Sequence, residues 1–158
     1  MAEVNMEKAN EVYGALLHML DTRDWKYTKY EEDLMIKASM QSEDLPIHLF
    51  VVVKPKNQVV QLLSRLPFQI PEDKRVDAAI AICVANNGLV DGSFDYDFLE
   101  GDITFRLTCS YRESELSGDL FEYMLYVSAG TIDDYNDKFF MIAKDMMSVQ
   151  QFIEKENA

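Results

Sequence analysis

Apolar residues Ala9, Val12, Tyr13, Leu16, Leu17 and Leu20 recur three and four positions apart, which predicts a helix from about Val4 to Asp21 with one buried stripe. Gly14 inside it weakens the helix by about 1 kcal/mol relative to Ala, and a missing side chain there permits another element to come close. From Trp25 the period changes to two. Trp25 and Tyr27 alternate with Lys26 and Thr28, and after Glu31-Glu32-Asp33 the residues Leu34, Ile36, Ala38 and Met40 alternate with Met35, Lys37 and Ser39. Two half-buried strands are expected. Ile47 to Lys54 (IHLFVVVK) is apolar at consecutive positions, the pattern of a central strand covered on both faces. Pro55-Lys56-Asn57 turns it into Val59 to Leu66. With Pro55-Lys56 as a two-residue loop, Val51 faces Val60 and Leu49 faces Leu62.

Pro67-Phe68-Gln69-Ile70-Pro71 reads as extended, and Pro71 is placed to open a second helix whose first turn holds Glu72 and Asp73. That helix is expected to run to about Asn86 and to bury Val76, Ala79, Ile80, Cys83 and Val84, with Ala78, Ala79 and Ala81 letting it lie close to a sheet. Asn86-Asn87-Gly88 is its stop, Gly88 taking the left-handed conformation.

Residues 90 to 110 (VDGSFDYDFLEGDITFRLTCS) predict a hairpin. Folded about Glu100-Gly101, it sets Phe98 against Ile103, Tyr96 against Phe105 and Phe94 against Leu107 on one face, with Asp95 opposite Arg106 and Asp97 opposite Thr104 on the wetter one. Arg112 to Gly118 is a loop. Leu120, Phe121, Met124, Leu125 and Ser128 mark a third helix that Ala129-Gly130 breaks; Thr131 to Asp134 has capping-box spacing, and Tyr135, Phe139, Ile142, Ala143, Met146, Val149 and Ile153 carry a fourth. The order is α-β-β-β-β-α-β-β-α-α. It predicts an α+β fold, an antiparallel sheet of about six strands packed by helices, as a single domain over residues 1–158.

Composition narrows the function classes. A chain of 158 residues, 48% hydrophobic, can bury about two-thirds of its extended surface without staples. Cys83 and Cys109 are too few for a disulfide framework and fall on expected apolar faces, so both read as buried thiols in a reducing compartment. No basic stretch followed by an apolar core opens the sequence, and no apolar run approaches the ~18 residues of a membrane span. A cytoplasmic location is expected. The formal charge of -13, with no basic cluster larger than Lys74-Arg75, repels phosphate backbones and anionic lipid. Nucleic acid and membrane are therefore not expected partners.

Candidate chemistry is thin. In the acidic run of Asp91, Asp95, Asp97, Glu100 and Asp102, the trio Asp95, Asp97 and Glu100 suggests calcium, yet neither Asp91 nor Asp95 as first position places ligands, glycine and glutamate as an EF-hand loop requires. His18 lies off the apolar stripe of the first helix, His48 has no His, Cys or carboxylate at ligand spacing, and Cys83 among Ile80, Ile82 and Val84 reads as a core thiol. Carboxylate pairs such as Glu31-Glu32 and Asp133-Asp134 suit turns and helix starts. Nine methionines, Met124, Met141, Met146 and Met147 among them, fill a core or line an adaptable surface. No catalytic residue, cofactor or metal site is assigned, and a non-enzymatic binding protein is expected. The alternative is a small-molecule sensor or enzyme with a pocket between the sheet and the last helices, reached by Tyr123, Tyr126 or Tyr135.

One stretch carries a resemblance. Residues 62 to 110, with Leu66-Pro67-Phe68 before Pro71, Asn86 and Leu89 after the helix, Gly92 and Phe94 opening a strand, and Gly101 before Phe105-Arg106, resemble the YbjN-like family, bacterial proteins associated with sensory-transduction regulation. That family is similar in fold to the class I type III secretion chaperones, small acidic homodimers with an antiparallel sheet and helices. The resemblance implies a chaperone-like or regulatory module that binds a protein partner and forms a homodimer. It implies no catalytic residues.

Overall fold

Asn5 starts the first helix. In the computed structural model, which describes residues 3–158, its side-chain oxygen accepts the Lys8 N–H at 3.0 Å, and α1 runs Met6–Thr22. The predicted stripe goes inside: Ala9, Val12, Tyr13, Leu16 and Leu20 are buried with Met19, and Leu17 is half-buried. Gly14 is exposed with open space beside it, so no element uses the close approach expected there.

Six strands follow the predicted order: β1 (Tyr27–Tyr30), β2 (Met35–Met40), β3 (Ile47–Lys54), β4 (Val59–Gln69), β5 (Ser93–Asp97) and β6 (Asp102–Ser110). They form one antiparallel sheet ordered β1-β2-β3-β4-β6-β5. The helices α2 (Arg75–Gly88), α3 (Gly118–Ala143) and α4 (Val149–Glu156) complete the α+β fold. Pro71 opens a short 3-10 turn, Glu72–Lys74, before α2 begins.

The sheet is covered on one face only. In β3, Ile47, Leu49, Val51 and Val53 are buried beneath α1 and α3, while Phe50 and Val52 are half-buried and His48 is exposed. The consecutive apolar residues of β3 thus do not mark a strand covered twice. Val60, Leu62, Ser64 and Leu66 of β4 and Ile103 and Phe105 of β6 continue the covered face.

Both predicted hairpin registers are displaced by two residues. Val51 pairs with Leu62 and Val53 with Val60, because the β3–β4 turn takes four residues, Pro55 to Gln58, with Gln58 at φ 56° and its N–H donating to Lys54 O at 2.9 Å. In the second hairpin Phe94 pairs with Phe105, Tyr96 with Ile103 and Asp97 with Asp102. There Asp97 Oδ1 accepts the Leu99 and Glu100 N–H groups at 3.0 and 3.1 Å, and Gly101 closes the turn at φ 78°. A Cβ on Gly101 would stand 2.3 Å from Ile70 O. The longer turn leaves Phe98 exposed instead of facing Ile103. A shift of two preserves every strand's faces, so Phe105 is still fully buried and Tyr96 half-buried.

The helices differ more from expectation. α2 buries Ala78, Ala81, Ile82 and Ala85; Val76, Ile80 and Cys83 face outward. Gly88 ends it without a positive φ. α3 runs unbroken through Ala129 and Gly130, because Phe121, Met124, Leu125, Ser128, Ile132, Asn136 and Phe139 continue one buried stripe across them. Each buried apolar side chain contributes about 1.5–3 kcal/mol, against about 1 kcal/mol lost at one glycine. Thr131 Oγ1 donates back to Val127 O at 2.8 Å and caps nothing. The break comes after Ala143, where Asp145 takes φ 57°. Ser148 and Gln151 then form a reciprocal capping box, Ser148 Oγ accepting Gln151 N–H at 3.1 Å and Gln151 Oε1 accepting Ser148 N–H at 2.9 Å.

Candidate functional site

The acidic stretch resolves into separate pairs. Arg106 reaches diagonally to Asp95, Nε to Oδ2 at 2.7 Å, while Thr104 stands directly opposite that aspartate. Asp97 holds the turn, and Asp102 accepts from Arg65 and from Gln69, the Arg65 guanidinium foremost in keeping its carboxyl below the usual carboxylate range. Asp91 accepts from the Tyr123 hydroxyl at 2.5 Å. Each of these four carboxylates is directed at its own partner, and among the described residues no three His, Cys, Asp or Glu side chains converge as metal ligands.

His18 is exposed on α1, and exposed His48 pairs through Nδ1 with Ser39 Oγ at 2.8 Å. Cys83, expected in the core, is exposed. Cys109 is half-buried, and burial raises its thiol above the ordinary range. Tyr123 and Tyr126 point outward, so neither reaches a pocket between sheet and helices. Tyr135 does turn inward: it stacks on Phe139 at 5.8 Å and donates to Glu156 at 2.7 Å, and burial with that bond pushes its hydroxyl to about 12. Phe94, Phe139 and Phe152 fill the space beside it. The methionines divide. Met124 and Met147 are buried, Met146 is exposed, and Met141, Met146 and Met147 line a groove of about 370 Å³ against α4.

Besides the exposed Tyr123, Tyr126 and Met146, the fold leaves apolar side chains grouped on α2 and on the open sheet face. On α2, Val76, Ile80 and Cys83 recur at helical spacing on the solvent side, Val76 being 61% exposed. Phe98 and Leu99 stand near its N-terminal end, where the Arg75 guanidinium donates to Leu99 O and Tyr96 donates to Arg75 O at 3.1 Å. The opposite end of α2 is tied to the sheet edge by Asn86, whose amide accepts the Phe94 N–H at 2.8 Å and donates to Phe94 O at 3.0 Å, as a neighbouring strand would. The second surface is the open sheet face, where Tyr30, Met35, Phe50, Val52 and Leu63 lie on adjacent strands. Residue pattern pointed to α2 as apolar and missed that Val76, Ile80 and Cys83 face solvent while Ile82 turns inward.

No protein-family model matches the sequence, and no curated protein matches it. Solved structures share the fold. A chain of the ExsC–ExsE complex superposes with a TM-score of 0.57 at 14% identity, covering 82% of this chain and 93% of that one. A chain of the HopA1–SchA chaperone–effector complex gives 0.55 at 10% identity, over 85% and 99%. YbjN from E. coli gives 0.55 at 8% identity, over 91% and 90%. The fold implied by the resemblance in residues 62 to 110 is therefore the one observed, and at these identities the likeness is one of fold.

Proposed function

We propose that this protein is a non-enzymatic, chaperone-like or regulatory module that works in the cytoplasm by holding a protein partner, and that it self-associates through α2. The observation that carries the reading is the outward stripe of Val76, Ile80 and Cys83 on a helix whose inner face is already filled by Ala78, Ala81, Ile82 and Ala85. Exposed apolar residues at helical spacing gain free energy when another surface removes them from water, and a patch on one helix pairs with itself about a two-fold axis. The shared fold with a chaperone–effector complex supports the partner-holding part. No helix among the described residues is long and apolar enough to cross a membrane.

Light scattering at micromolar concentration, with a pull-down from lysate, tests this. The expected result is the mass of a dimer, reduced to a monomer by Val76→Ser with Ile80→Ser, and a retained protein. A strict monomer that retains nothing removes the proposal.

A further inference from the structure

The β1–β4 part of the open sheet face differs in charge from the β5–β6 hairpin, whose Asp95, Asp97 and Asp102 lie on the same side. The chain holds 28 acidic residues, yet none lies in β1, β2, β3 or β4. Across the open face the registers set Thr28, Lys37, Phe50, Leu63 and Arg106 in one row, and Tyr30, Met35, Val52, Gln61 and Thr108 in the next. Lys54, paired with Val59, lies beyond them. An apolar strip is thus bordered by cations, amide and hydroxyls.

The cations are of two kinds. Arg65 and Arg106 are already paired with Asp102 and Asp95 and mark the boundary with the acidic hairpin. Lys37 and Lys54 make no ion pair among the described residues; Lys37 Nζ stands 5.7 Å from the centre of the Phe50 ring. On a chain of net charge -13, unpaired lysines beside the half-buried Phe50 and Val52 are set to meet a negative group.

We infer that this face docks an extended partner segment in which apolar side chains alternate with carboxylates, an inference that rests on the protein-binding reading above. Lys54 lies four residues beyond Phe50, the partner of Lys37, so at about 3.3 Å per residue the two ammonium groups suit carboxylates about four residues apart on one side of a strand. Apolar residues between them cover Phe50 and Val52. The overall negative charge opposes an acidic ligand at a distance, but screening confines that repulsion to about 8 Å at physiological ionic strength, and at contact the nearest charges are the lysines. A basic segment finds no carboxylate among these strands.

The test uses two labelled ten-residue peptides, alternating leucine and glutamate on one side with threonine on the other, and the same peptide with lysine for glutamate. Fluorescence anisotropy measures binding to the wild type and to Lys37→Glu with Lys54→Glu, whose folding is checked by circular dichroism. The glutamate peptide is expected to bind about tenfold tighter than the lysine peptide, less tightly as salt rises, with the preference reversed in the double variant. Equal or tighter binding of the lysine peptide overturns the inference, as does a double variant that keeps the wild-type preference. Dissociation of the self-associated protein by the two substitutions also overturns it, because the face then belongs to a second copy. Should neither peptide bind while the double variant still retains its partner from lysate, this docking site falls and the protein-binding reading stands.

Discussion

Helices α1 and α2 have similar apolar content and opposite outcomes. In α1 the apolar residues Ala9, Val12, Tyr13, Leu16, Met19 and Leu20 make one stripe, and apart from Met6 and Ala15 the exposed positions as far as His18 hold Glu7, Asn10, Glu11, Gly14 and His18, so only one face can turn inward. In α2 two stripes have equally good spacing: Ala78, Ala81, Ile82 and Ala85 on one side, Val76, Ile80 and Cys83 on the other. Hydrophobic size favours the second, yet the first is buried. Three alanines let α2 lie close to β5, α3 and α4 in a layer with room for one larger side chain, Ile82, while Val76 and Ile80 remain on the surface. Periodicity identifies a buried face only where it offers one candidate.

This contrast can be broken at several points. Leu16→Ala in α1, at a fully buried position, is expected to cost about 2–5 kcal/mol in chemical denaturation. Ala85→Leu in α2 adds volume where none is free and is expected to cost about 1–3 kcal/mol; a neutral result would mean that α2 is loosely seated. Gly14→Ala on the exposed side of α1 is expected to stabilise by about 0.5–1 kcal/mol, since nothing lies within 4 Å of the added carbon. Ile80→Ser, which removes a side chain as apolar as Leu16, is expected to stay within about 0.5 kcal/mol for the dissociated chain, with its effect falling on self-association.

The smallest difference concerns how each helix is tied to the sheet. Tyr27 of β1 donates to Asp21 at the end of α1 at 2.7 Å, a bond that, with some burial, pushes the tyrosine to about 12. A folded-state value above the ordinary one near 10 means that the fold retains the proton. The contribution is complete below about pH 10 and is lost as pH rises through about 12. Denaturation of the wild type and Tyr27→Phe should therefore converge between those limits. The Asn86 amide that ties α2 to β5 has no such titration, and Asn86→Ala should leave a pH-independent difference.

Much of the architecture was legible along the chain. Strand alternation, the order of elements and the inward set Phe94, Ile103 and Phe105 follow from local period. The errors have local causes as well. Thr131 to Asp134 has the spacing of a cap, but aspartate is shorter than the glutamate or glutamine the box requires, while Ser148 to Gln151 satisfies it fully. Strand patterning alone fits two-residue turns, whereas Gln58 and Gly101 take positive φ in longer ones.

By itself the sequence determined the identity and order of the elements and the division of each strand into two faces, because backbone geometry imposes periods of 2 and 3.6 on any apolar pattern. Only the tertiary structure decided which of two adequate faces of α2 turned inward, and that one side of the sheet went without helices. Those outcomes depend on the volume available between layers and on where neighbouring elements dock, quantities carried by residues distant in the chain.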